Sequence, residues 1–287
     1  MLDTRKARIA TAAAAALLMT ISASGAEAQS STVSYGVTAA AFGWQDGHQE
    51  QALGAIIQLT PTRWLSLGAS PTLLRVSGVD GSESRFGITD LPVYAGVFHS
   101  FEAPWRPTLG FAGVASLPTG DADQGLGRGK SLVSAQGVFA ISPLSALTLR
   151  AGGSRLLRVG DSAPSGMPTT SLFGDAVLLA SARTNLSVGY AMELRGEAPA
   201  TYDPARAINA AMVHSLFGPV VLGMSAGRTI QGMGPRWSFA VGIGTAFAGL
   251  SPVGATSPSA RGAGGMTRPS GALPAIGDAS CRLLGGC

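Results

Sequence analysis

The sequence predicts an all-β chain, an antiparallel transmembrane β-barrel of about 12 strands after a cleaved signal peptide. Three observations predict it. The 287 residues are 46% hydrophobic and only 13% charged, with a mean hydropathy of +0.29, yet apolar residues seldom run together for long. Apolar and polar residues alternate with period two from about residue 31 to 248. The connections between these alternating segments are short and long by turns, as in an outer-membrane barrel with both termini on the periplasmic side.

The composition excludes several classes. The charged fraction is about half the usual share, which rules out a disordered chain and suits a soluble enzyme surface poorly. Gly accounts for 40 residues, roughly twice its normal usage. Gly, Ser, Thr and Pro are scattered throughout, which argues against a bundle of membrane helices. One uncharged stretch, 207–227, is long enough to span, but Gly218-Pro219 breaks it. The net charge of +4 comes without a basic cluster interleaved with aromatics, so no nucleic-acid partner is expected. The two cysteines, Cys281 and Cys287, lie at the extreme C-terminus. No disulfide framework or zinc site is available elsewhere, and no cofactor or metal is expected.

Residues 1–28 read as a secretory signal peptide. Arg5, Lys6 and Arg8 form the positive end, Ile9 to Ile21 the apolar core, and Ala26-Glu27-Ala28 the small-x-small cleavage site. That core is too short to cross a hydrocarbon layer of ~30 Å as a helix.

The strands expected in the barrel, 29–250, are 31–43, 50–60, 64–76, 86–100, 105–117, 131–142, 146–159, 170–181, 185–195, 206–216, 219–229 and 236–248. In 185–195, Leu186, Val188, Tyr190, Met192 and Leu194 share one face, with Asn185, Ser187, Gly189, Ala191, Glu193 and Arg195 on the other. In the last strand Trp237 and Phe247 sit on the apolar face, separated by about 25 Å along a tilted strand. They are therefore expected in two interfacial aromatic belts. Short turns are expected at 61–63, 101–104, 143–145, 182–184 and 217–218, and longer loops at 44–49, 77–85, 118–130, 160–169, 196–205 and 230–235.

The outward face needs only apolar side chains, because closure of the barrel satisfies the backbone. The inward face is mainly Gly, Ala, Ser, Thr and Asn, with Arg150, Arg158, Asp175, Glu193 and Arg195 as candidate pore-lining charges. Twelve strands fall between the side-chain-filled eight and the water-filled sixteen, so a narrow polar passage is expected. The charges either select solutes or pair with one another and hold the wall together.

In the 118–130 loop, Asp121-x-Asp123-x-Gly125 has the start of a calcium loop but lacks its closing Glu. Gly129-Lys130-Ser131 has the end of a phosphate-binding loop, with Gln124 where the first Gly belongs. Both read as parts of a Gly/Asp-rich hairpin loop.

Three segments carry a family resemblance. These are Gly87-Ile88-Thr89-Asp90-Leu91, then Gly113 to Asp121 with Pro118-Thr119-Gly120-Asp121 at its end, then Gly125-Leu126-Gly127-Arg128-Gly129. They resemble the outer-membrane barrel family named for the meta-pathway of phenol degradation. The resemblance spans roughly 86–160 and implies an outer-membrane transporter or channel, with hydrophobic or aromatic compounds as its solutes. Such barrels commonly end on an aromatic residue recognised by the barrel-assembly machinery. Phe247 fits that role, but the chain continues through a Gly/Pro/Ser-rich segment, 251–287, expected as a flexible periplasmic tail. Cys281 and Cys287 could close a disulfide there, pair between chains or stay free.

The chain is not expected to be an enzyme. His48 has Asp46 and Glu50 near it in sequence, His99 is beside Ser100, and His214 beside Ser215 but on the opposite face. No nucleophile elbow is present. The expected function is therefore an outer-membrane channel or transporter for a small solute in a Gram-negative bacterium, embedded in outer-membrane lipid. The alternatives are a structural or adhesive barrel and a lipid-modifying hydrolase.

Overall fold

The structure is a computed structural model that describes residues 32–62, 64–78, 84–127, 129–157, 170–194, 203–232 and 234–245. The expected signal peptide, the expected tail with Cys281 and Cys287, Phe247, Arg158 and Arg195 lie outside the described residues.

Alternating side chains favour extended backbone with one face apolar. Fourteen strands follow: β1 (Thr32–Trp44), β2 (Gln49–Thr62), β3 (Leu65–Ala69), β4 (Thr72–Ser77), β5 (Arg85–Ile88), β6 (Leu91–Ser100), β7 (Thr108–Leu117), β8 (Leu132–Leu144), β9 (Leu147–Leu157), β10 (Thr170–Ser181), β11 (Thr184–Leu194), β12 (Arg206–Phe217), β13 (Val220–Gln231) and β14 (Pro235–Gly244). Each pairs antiparallel with its neighbours, and β1 pairs with both β2 and β14. The sheet thus closes on itself; among the described residues the short β5, paired with β4 alone, keeps one side without a ladder partner.

β3 and β4 together form one stave against β2, and β5 and β6 form the next, so the barrel has 12 staves. The uninterrupted strands expected at 64–76 and 86–100 are corrected here. Pro71 has no N–H to give the ladder, and Asp90 turns inward at the second break. The breaks are bridged: Ala55 N donates to Pro71 O at 2.9 Å, Ser70 N to Pro92 O at 3.0 Å, and Thr89 N to Thr72 O at 2.9 Å. They are adjacent bulges rather than an opening. The strand expected from 105 starts at Thr108 instead. Pro104 and Pro107 have no N–H to donate, and Arg106 takes a φ of 43° in the turn.

The distribution of side chains inverts that of a soluble protein. Val33, Val37, Leu53, Ile57, Val188 and Ile243 stand exposed on the outer face, while Ser34, Gln58, Gln136, Thr148, Ser225 and Ser238 are buried on the inner one. A lipid-facing barrel requires this arrangement. No described helix is long and apolar enough to cross a membrane; the crossing elements are strands.

Some glycines make room for rings. The Tyr94 ring lies where a Cβ on Gly68 would stand, and the Phe173 ring covers Gly152 in the same way. Both rings face inward on neighbouring staves, and such aromatic cover compensates for a glycine's bare backbone.

Candidate functional site

β9 and β10 place two charges side by side. Arg150 is opposite Asp175 in the register, both on the inner face. Arg150 Nε donates to Asp175 Oδ1 at 2.7 Å and Nη2 to Oδ2 at 3.0 Å. This bidentate geometry is the strong form of the pair. Neither side chain is fully buried, at 20% and 16% exposed, so the pair borders the lumen rather than the packed wall.

The wall around the pair is polar and partly accessible. Ser154 and Ser171 share a hydrogen bond of 2.7 Å two inward positions further along the same strands. Asn185, Ser187 and Asn209 face the same space from β11 and β12 and are half-buried. Phe173, Val177 and Leu179 flank Asp175 on the inner face of β10. The passage wall is thus mixed, with charge and hydroxyl groups beside a ring and aliphatic side chains.

Across the ring the interior is filled. The loop between β7 and β8 folds inward, and Leu126, only 2% exposed, packs on Leu74 and Val76 with Ala52 beside them. Its turn is built by Asp121, whose Oδ1 accepts the amides of Asp123 at 3.0 Å and Gln124 at 3.1 Å. The Asp121 carbonyl accepts Leu126 N at 2.8 Å. Arg85 Nη1 donates to Gln124 O at 3.2 Å.

The loop is latched at the break between β5 and β6. The Asp90 carboxylate accepts Gly120 N at 3.1 Å, and Thr119 Oγ1 donates to Thr89 O at 2.9 Å. A Cβ on Gly127 would stand 2.5 Å from Asp90 Oδ1, and one on Gly120 2.5 Å from Leu126 O. The two glycines are therefore required by close approach. The structure brings Asp90, Thr119, Gly120 and Asp121 into one latch; Pro118, exposed, leads into it.

The hairpin between β1 and β2 holds a second charged group. His48 is stacked on Trp44, with centroids 5.1 Å apart. Its Nδ1 meets Asp46 Oδ1 and its Nε2 lies 3.5 Å from Glu50 Oε1. Burial disfavours the charged ring and is the largest single influence. The hydrogen bond with Glu50 and the charges of Asp46 and Glu50 together outweigh it, so the His48 pKa is raised above its ordinary value. The sequence shows these residues as neighbours but gives no sign that His48 and Glu50 are buried.

Glu193 faces inward, yet it is buried and its Oε2 accepts the Ala205 amide at 2.9 Å. Its carboxylate fixes the chain entering β12. His214 faces outward, with Nδ1 3.0 Å from Thr184 Oγ1, which in turn accepts from Ser181 Oγ at 3.0 Å. His99 meets the Phe101 ring edge-on at 4.6 Å. Trp237 is exposed on the outer face at the loop end. At the turn end Tyr35, Trp64, Phe101, Trp105 and Phe217 are exposed. Sequence reasoning missed that group, because several of these rings sit in turns where period two gives no face.

No family profile matches the sequence, and no curated protein matches it. Solved structures do. An outer-membrane channel from Pseudomonas putida F1 aligns with a TM-score of 0.55 at 16% identity, over 77% of this chain and 98% of that one. The KdgM porin aligns at 0.46 and 9% identity, over 74% and 99%. The translocator domain of the autotransporter NalP from Neisseria meningitidis aligns at 0.42 and 11%, over 83% and 96%. The first likeness places the chain in the outer-membrane β-barrel fold.

Proposed function

We propose that the protein is a non-enzymatic outer-membrane channel, exported through the secretory pathway of a Gram-negative bacterium, that passes a small solute through its lumen. One observation carries this reading. The bidentate Arg150–Asp175 pair stands on a partly accessible polar wall, while the opposite wall is filled by Leu126 and its loop. A barrel with a merely structural lumen has no need to keep one wall accessible and charged. The P. putida neighbour is described as an outer-membrane channel, which supports the reading.

The solute class is small and hydrophobic or aromatic. The mixed surface of Phe173, Val177 and Leu179 around the ion pair suits a ring with a polar substituent. The resemblance to the meta-pathway barrel family points the same way, and the residues that carry it form the loop latch described above.

Recording from the purified protein in a planar bilayer tests the proposal. Discrete conductance steps, reduced by millimolar phenol but not by a disaccharide, are expected. A silent barrel would overturn transport and favour a structural one; steps indifferent to phenol would overturn the solute class alone.

A further inference from the structure

We propose that the outer rim of the barrel at its loop end, centred on Arg206 and Arg228, binds the phosphate-bearing headgroup of an anionic lipid. The inference rests on the chain being membrane-embedded, but not on its being a channel.

The outer face of the strands is apolar almost everywhere, and its exceptions have one sign. Arg75, Arg155, Arg206 and Arg228 are exposed at outward-facing strand positions, each near the loop end of its strand. The acidic residues of the described strands, Glu50, Asp175 and Glu193, instead face inward. At this end Asp46, Asp121, Asp123 and Asp203 lie in connections, off the strand faces. A guanidinium on a lipid-facing strand is destabilising at mid-bilayer and tolerated near an interface. Four at one interface therefore need an anionic partner more than they need solvent.

Arg206 and Arg228 are close enough to share that partner. Ile208 pairs directly with Arg228 on the adjacent strand, and Arg206 stands two residues along β12 on the same outer face, past a register shift that sets it opposite Gln231; diagonal neighbours on a regular ladder are about 7 Å apart. Neither makes an ion pair or hydrogen bond among the described residues. Two planar forks at that spacing can both donate to one phosphate. On the membrane side of the pair, Val188, Tyr190 and Ile208 stand exposed. They give an apolar floor for acyl chains below the headgroup. A free phosphate would use the two arginines and leave this floor bare, so the lipid is the fitting occupant.

The test uses the full chain in nanodiscs of phosphatidylethanolamine containing a few per cent of diphosphorylated lipid A. Native mass spectrometry after release should show the wild type retaining about one lipid A per barrel. In R206Q/R228Q retention should fall about tenfold or more, two cations beside an anionic headgroup having been removed. Lipid A stripped of its phosphates should bind the wild type no better than it binds the variant. Inorganic phosphate at millimolar concentration should not displace the bound lipid. Equal retention by wild type and variant, or by phosphorylated and stripped lipid, would overturn the proposal, as would ready displacement by phosphate. Heat-modifiable gel migration reports that the variant is folded. Because both arginines face away from the lumen, planar-bilayer conductance should be the same in both proteins. Failure of the channel reading would appear there and leave the lipid result intact. A protein that does not enter nanodiscs would fail both.

Discussion

Arg150 and Asp175 are held by each other, so their substitution separates charge from structure. Asp175→Asn leaves one net positive charge on the accessible wall. The reversal potential in a salt gradient should move toward anion selectivity: one unit charge about 5 Å from a passing ion in a water-like dielectric favours the anion about fourfold and disfavours the cation about fourfold, a change of roughly sixteenfold in permeability ratio. Arg150→Gln should shift it the opposite way. The exchanged pair R150D/D175R should return selectivity near the wild type, because the sum of charge is restored. If all three behave alike, the pair does not border the ion path. The same residue-level logic applies to Asp90. Removing its carboxylate leaves the Gly120 amide without its charged acceptor, a loss of about 1–3 kcal/mol. Asp90→Ala should therefore speed proteolysis within 118–130. Gly127→Ala, whose Cβ would stand 2.5 Å from Asp90 Oδ1, should do the same and raise single-channel conductance as Leu126 leaves the wall.

At the scale of the element, the β1–β2 hairpin carries a titrating group. The His48 pKa is raised in the folded protein. Its contribution to stability is thus fully present below the unfolded value of about 6.5 and is lost as pH rises through the folded pKa. The protection factors of the amides across 44–50, taken relative to intrinsic base-catalysed exchange, should fall above neutral pH, and His48→Gln should remove that fall. Protection factors that do not change with pH in the wild type would show that Asp46 and Glu50 do not hold the proton. Elements also show what the alternation could and could not specify. The long regular staves, such as β11 and β13, were legible because their two faces differ along most of their length. β3 to β6 were not, since Ser70-Pro71 and Thr89-Asp90 look like ordinary strand residues until their partners are known. The β6–β7 turn was misjudged at its edge, where two prolines and a positive φ at Arg106 extend it.

For the whole molecule, exposed aromatics at the two ends of the strands are expected to mark the membrane boundaries. Trp237 lies near the loop end, Trp64 and Trp105 near the turn end, and Trp44 faces inward. In single-Trp variants, lipids brominated close to the headgroup should quench Trp237, Trp64 and Trp105 more strongly than lipids brominated deep in the chain. Trp44 should be insensitive to both. Strong quenching of Trp44 would mean that the faces are reversed.

The sequence alone determined which face of the regular strands, such as β11 and β13, meets lipid, because a side-chain period of two leaves no freedom once one face must be apolar. It also determined the number of staves and the alternation of short and long connections, and it marked Arg150 and Asp175 as inward residues. Only the tertiary structure decided that those two charges join each other. It likewise decided that Asp90 reaches Gly120 across 30 positions and that Leu126 fills one wall. The physical reason is register. Local pattern fixes the direction of a side chain, whereas its partner depends on how far neighbouring strands slide and where a loop of many residues folds back, and no periodicity encodes either.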